Sequence, residues 1–93
     1  MTWKPYNPTW LVELAKAQMP EEAWLVDALS QCTSYLQSGH AYIHFIDPTA
    51  SNKPGSQWQF ERNILLYDKY EGELVLDILE GNRVGGVEFL NRL

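Results

Sequence analysis

Apolar positions in the first third of the chain recur at helical spacing. Leu11, Leu14 and Ala15 form one stripe, Glu13 and Lys16 point away from it, and Trp10 covers its edge. This spacing predicts a helix over residues 8–18, with Asn7 capping its free amides and Pro8 at the first helical position, where a missing N–H costs nothing. Met19-Pro20 interrupts the pattern, and Pro20 opens a second predicted helix over residues 20–37. Glu21 and Glu22 fall in its first turn, where carboxylates complement the helix dipole. Leu25, Leu29, Cys32 and Leu36 lie at i, i+4, i+7 and i+11, flanked by Ala28 and Tyr35, and Gly39 supplies a left-handed stop.

From His40 the period changes to two. Residues 41–46 alternate Ala41, Ile43 and Phe45 on one face with Tyr42, His44 and Ile46 on the other, the pattern of a strand. Residues 47–56 hold two prolines, a glycine and small polar side chains, the composition of a loop. Trp58, Phe60, Arg62, Ile64 and Leu66 share a parity, predicting a strand over 57–67 in which Arg62 lies near an open end. A third strand over 73–79 turns Leu74, Leu76 and Ile78 toward the helices and Val75, Asp77 and Leu79 outward. Gly81-Asn82 suits the positive φ of a tight hairpin turn, after which residues 84–90 return as a fourth strand. Gly85-Gly86 within it marks a bulge or a close backbone approach, a short terminal helix over 87–93 being the alternative. The expected fold is α+β, with two N-terminal helices packed on one face of a three- to four-stranded antiparallel sheet.

Ninety-three residues, 45% of them hydrophobic and 20% charged, fit one globular domain spanning residues 1–93 and exclude a disordered or fibrous chain. A domain of this size has a thin core, and twelve aromatic residues exceed what it needs to bury. Trp3, Tyr6, Trp10, Trp24, Tyr42, Trp58, Tyr67 and Tyr70 are the candidates for surface anchors.

The formal net charge of −5 argues against nucleic acid as a direct partner. Cys32 is the only cysteine, so an internal disulfide and a multi-cysteine zinc site are both excluded. A reducing cytoplasm is the expected location, since neither a signal-peptide pattern nor a stretch of about 18 apolar residues is present. Expected partners therefore include neither nucleic acid nor membrane.

Candidate chemistry is sparse. His40 and His44 stand roughly 13 Å apart along a strand at about 3.3 Å per residue, too far to share one metal ion. Cys32 falls on a buried stripe, where its thiolate is disfavoured. Glu73, Asp77 and Glu88 can face one another across adjacent strands, but a domain this small offers a catalytic carboxylate pair little depth. The glycines match neither the dinucleotide nor the P-loop spacing. No metal and no cofactor is expected.

Asp68, Glu71, Glu73, Asp77 and Glu80 gather within thirteen residues against the single Lys69. With Tyr67 and Tyr70 as anchors, they form the expected partner-binding site. The function expected is that of a non-enzymatic acidic binding module: a small inhibitor of the immunity-protein type that neutralises a basic partner such as a toxin nuclease. The alternative is a small enzyme or ligand-binding domain using His44, Tyr42 and nearby carboxylates. A convergent polar pocket favours the alternative, and a sheet face with exposed rings favours the binder.

Overall fold

The computed structural model describes residues 2–93. Two helices pack on one face of a six-stranded antiparallel sheet, so the fold is α+β. The strands are β1 (Lys4–Pro5), β2 (Ser34–Ser38), β3 (Tyr42–His44), β4 (Phe60–Asp68), β5 (Gly72–Leu79) and β6 (Arg83–Phe89). The helices α1 (Thr9–Gln18) and α2 (Ala23–Ser30) lie between β1 and β2, and a 3-10 turn, Leu90–Arg92, closes the chain. Across the sheet the order is β1-β2-β3-β6-β5-β4.

The expected three or four strands become six because the second helix is much shorter than its apolar spacing suggests. It begins at Ala23 and ends at Ser30, so Pro20, Glu21 and Glu22 form the turn before it rather than its first turn. The Ser30 hydroxyl donates to the Asp27 carbonyl at 2.6 Å, a local bond that competes with helix continuation. Cys32 and Leu36 keep the helical spacing but not the helix. Leu36 lies in β2, beside the β-branched and aromatic residues Thr33 and Tyr35. Gly39 has positive φ, yet it serves the β2–β3 turn instead of a helix end. The helices are also not strictly N-terminal, since Lys4 and Pro5 pair with Tyr35 and Ser34. The first helix begins one residue later than expected, with Pro8 at the cap position and no side-chain cap there, while Asn7 Oδ1 accepts from the Thr9 amide and hydroxyl.

The core lies between the helices and the inner sheet face. Leu11, Leu25, Leu29, Leu74, Leu76, Ile78 and Val87 are all fully buried there. Ile64 and Leu66 of β4, Ile43 of β3 and Phe89 of β6 complete it. Phe60 departs from the parity of its strand: a register shift between Phe60 and Arg62 puts it opposite Leu79 on the outer face. A bulge of this kind turns every residue beyond it to the other side.

Two backbone features shape the other end of the sheet. Gly81 and Asn82 both have positive φ, the geometry of the tightest hairpin turn, and join β5 to β6. Gly85 is the extra residue of a bulge, because Asp77 faces Gly86 while Ile78 faces Val84. Gly86 is a close approach: a Cβ there would stand 2.6 Å from the Ile43 carbonyl oxygen and 2.9 Å from the Tyr42 ring. The terminal helix alternative reduces to the three residues of the 3-10 turn. No helix among the described residues is long and apolar enough to cross a membrane.

Candidate functional site

The sheet's outer face, turned away from the helices, is built from the alternate residues of β3, β6, β5 and β4. Registers place Tyr42, Glu88, Val75 and Leu65 in one row across the sheet. The next row is His44, Gly86, Asp77 and Asn63, and Glu73 stands beside Tyr67 further along β5 and β4. At one end the loop after β3 folds over this face and covers Leu79, which is only 3% exposed despite its outward parity. That loop is pinned by its own polar groups, the Asp47 carboxylate accepting from the Thr49 amide and hydroxyl and Asn52 Oδ1 accepting from the Phe60 amide.

Gly86 lets the Tyr42 ring settle against the sheet, where it meets the His44 ring at a centroid distance of 4.4 Å. Tyr42, His44 and Asp77 bound a socket of about 100 Å³, closed on its far side by Ile46, Phe60 and Leu79. Burial pushes the Asp77 carboxyl up to about 6, and the neighbouring Glu88 carboxylate adds to the rise. Burial also lowers His44, so its imidazole is neutral at pH 7 and does not balance the two acids.

The three arginines are engaged with rings elsewhere. Arg62 lies over the Trp24 ring at 5.3 Å on the inner side, Arg83 over Trp58 at 4.5 Å, and Arg92 over Phe89 at 3.9 Å. Among the described residues the ion pairs are Lys16–Glu13, Arg62–Glu61 and Arg92–Glu71, none of which involves Asp77, Glu88 or Glu73. The arrangement is a half-buried carboxylate pair open to solvent, without a cation, next to exposed Leu65 and Tyr67.

The seven residues singled out from the sequence divide among three places. Tyr67, Glu73 and Asp77 share the outer face. Tyr70 is 85% exposed in the β4–β5 turn. Asp68 organises that turn, its Oδ2 accepting from the Tyr70 and Glu71 amides. Glu71 is held by Arg92, which donates from Nε at 3.0 Å and from Nη2 at 2.6 Å, so its charge is already neutralised. Glu80 stands at the opposite end of β5 beside the Gly81-Asn82 turn, roughly 26 Å away at about 3.3 Å per residue. Glu88 and Leu65 belong to the face but not to that set. Glu88 reads from the sequence as facing Glu73 and Asp77 across adjacent strands, though not as part of the binding set, whereas the outward parity of β4 is the signal for Leu65.

His40 lies in the β2–β3 turn, away from His44, and its carbonyl accepts from Arg92 Nη1 at 3.2 Å. A larger groove of about 610 Å³ runs on the other side, between α2 and the β5–β6 turn, with Trp24, Phe45, Trp58 and Arg83 on its walls. Cys32 reaches this groove, but burial pushes its thiol up to about 12, far from the range of a nucleophile. Comparison with family models, with curated proteins and with solved structures finds no match to this chain.

Proposed function

We propose that the protein is a non-enzymatic acidic binding module, a small cytoplasmic inhibitor of the immunity-protein type. Its partner is a basic protein such as a toxin nuclease, docked on the outer sheet face. The observation that carries this reading is Asp77, its carboxyl raised by burial and by the neighbouring Glu88 carboxylate, with no ion pair to either acid among the described residues. A carboxylate held in that way gains from a cation brought by a partner: a lysine or arginine entering the socket restores its charged form. Leu65 at 65% exposure and Tyr67 at 59% supply apolar anchors beside it. Glu73 widens the acidic field toward the β4–β5 turn, which speeds encounter with a basic surface.

The test is capture from a lysate of the native source with two baits, the wild-type chain and the variant carrying Glu73→Lys and Asp77→Lys. Glu73 is exposed and Asp77 half-buried at the socket, so circular dichroism first checks that the reversed bait keeps its fold. One dominant basic protein retained by the wild type and lost by the reversed bait supports the reading. Equal recovery by both baits, or recovery of no partner, removes it.

The second reading, a ligand-binding or enzymatic use of His44 and Tyr42, draws on the stacked rings at the socket mouth. At about 100 Å³ the socket admits a single side chain. Small-molecule sites begin at about 300 Å³. His44→Asn separates the two readings: partner capture persists under the first, and a ligand or turnover signal disappears under the second.

A further inference from the structure

β4 is the terminal strand of the sheet, and one of its two hydrogen-bonding sides is open. The Tyr67 amide donates to Gln18 Oε1 at 2.8 Å, and Gln18 Nε2 donates to the Tyr67 carbonyl at 2.5 Å. A side-chain amide here takes the place of the peptide group of a neighbouring strand. Because Asn63 and Leu65 share the parity of Tyr67, their own amides and carbonyls point to the same open side. Apart from Gln18 at this end and Asn52, bound to the Phe60 amide at the other, the edge is bare among the described residues. Natural edges are blunted by proline, by lysine or by inward charges. The centre of this one reads Asn63-Ile64-Leu65-Leu66-Tyr67, with Leu65 65% exposed.

The strand is also self-complementary when read against itself in the antiparallel direction. With a two-fold axis at Leu65, Ile64 meets Leu66 of the second copy, Asn63 meets Tyr67, and Arg62 meets Asp68. Just past the regular strand, Glu61 comes near Lys69 and Phe60 near Tyr70. Both charged positions thus find the opposite sign, and apolar side chains find apolar ones. Moving the axis by one residue in either direction sets Arg62 against Leu66 or Tyr70 and leaves Asp68 facing Phe60 or Ile64. A single register therefore satisfies the whole segment.

We propose that two copies of this chain pair along β4, antiparallel and centred on Leu65, joining their sheets into one of twelve strands. Gln18 is a displaceable plug: its amide leaves Tyr67 when Asn63 of the second copy takes over both bonds. The pairing uses the sheet edge and leaves Asp77, Glu88 and the socket open on the continuous outer face. An edge contact of this length is small, so the pair forms in the micromolar range and dissociates on dilution.

Sedimentation velocity from about 1 μM to about 1 mM, the range that spans such affinities, reads the equilibrium directly. Wild-type chain shifts from monomer to dimer over that range. Leu65→Lys places two like charges on the axis and weakens the dimer by about 100-fold or more, while circular dichroism stays unchanged because the side chain is exposed. Register is read by cysteine. Leu65→Cys brings two thiols within disulfide reach, since Cα atoms of a hydrogen-bonded pair lie about 5.5 Å apart. Oxidised glutathione then converts the two thiols to one disulfide and is reduced to two glutathione molecules. Asn63→Cys puts its two thiols four residues apart and does not link, and buried Cys32 takes no part. A wild-type chain that stays monomeric to about 1 mM overturns the proposal. So does a dimer that survives Leu65→Lys, or one that links through residue 63 as fast as through residue 65.

Discussion

Replacing Asp77 by Asn should make the protein more stable at neutral pH and worse at binding. Burial and Glu88 raise the Asp77 carboxyl from 3.8 to about 6, so folding holds an acid in its charged form at pH 7.5 against its preference. Two units of pKa correspond to about 3 kcal/mol at full strength. The carboxylate keeps access to solvent, which screens the effect to about 1 kcal/mol. The sign follows from linkage. The folded value lies above the unfolded one, so the favourable contribution of the protonated acid is complete below pH 3.8 and is lost as pH rises through about 6. The amide of the Asp77→Asn variant has no such proton to lose, and the variant should therefore gain about 1 kcal/mol at pH 7.5 and almost nothing at pH 4. Tyr42, His44, Glu73 and Glu88 face the same region. His44 acts in the opposite direction, costing stability as pH falls through 6.5, but it is present in both proteins and cancels in the difference to first order. Urea unfolding at the two pH values measures this. With a slope of about 1–2 kcal/mol per molar, the midpoint moves up by about 0.5–1 M at pH 7.5. A variant no more stable than wild type at pH 7.5 would mean that the Asp77 carboxylate already has a neutralising partner in the fold, and the reasoning would fail.

Three further outcomes follow from the packing. Gly86→Ala, whose Cβ would press on the Ile43 carbonyl at 2.6 Å, should cost about 2–3 kcal/mol and loosen β3 from β6, seen as a lower urea midpoint and faster amide exchange in β3. Glu71→Gln removes the charge that Arg92 grips and should cost about 1 kcal/mol in thermal unfolding, the 3-10 turn losing its tether first. Cys32, buried and with its thiol pushed up to about 12, should react with a thiol reagent only as fast as the chain opens, so that sub-denaturing urea accelerates labelling. A urea-independent rate equal to that of a free thiol would refute its burial.

The parts of this structure that were legible in the sequence are those set by local period. Leu74, Leu76 and Ile78 face the helices because a strand alternates, and Leu11, Ala15, Leu25 and Leu29 are buried because a helix repeats. Gly81-Asn82 and Gly85-Gly86 announced a turn and a bulge through backbone freedom alone. What misled was a coincidence of spacing. Cys32 and Leu36 continue the series begun by Leu25 and Leu29, yet the chain has already left the helix at Ser30, and periodicity carries no record of that break. Phe60 changed faces through a bulge that no residue type signals.

The candidate site was half legible for a different reason. Outward parity placed Asp77 and Glu73 together, but the sequence held no hint that β6 inserts between β3 and β5. That non-local order sets Tyr42 beside Glu88 and leaves Gly86 between His44 and Asp77. The length of β5 separates Glu80 from the rest and Arg92 holds Glu71, so five acids close in sequence do not act as one patch.

The central claim is that the uncompensated acids of the outer face recruit a basic partner. It is tested most directly by the association rate of the wild-type chain with the basic protein recovered on it, measured as ionic strength rises. Between about 0.01 M and 1 M salt the screening length falls from about 30 Å to about 3 Å. Steering by opposite charges then predicts a rate at least about tenfold slower at high salt. The same measurement on the Glu73→Lys and Asp77→Lys chain should give a slow rate that no longer falls with salt. A wild-type association rate that is the same at both extremes would contradict the account.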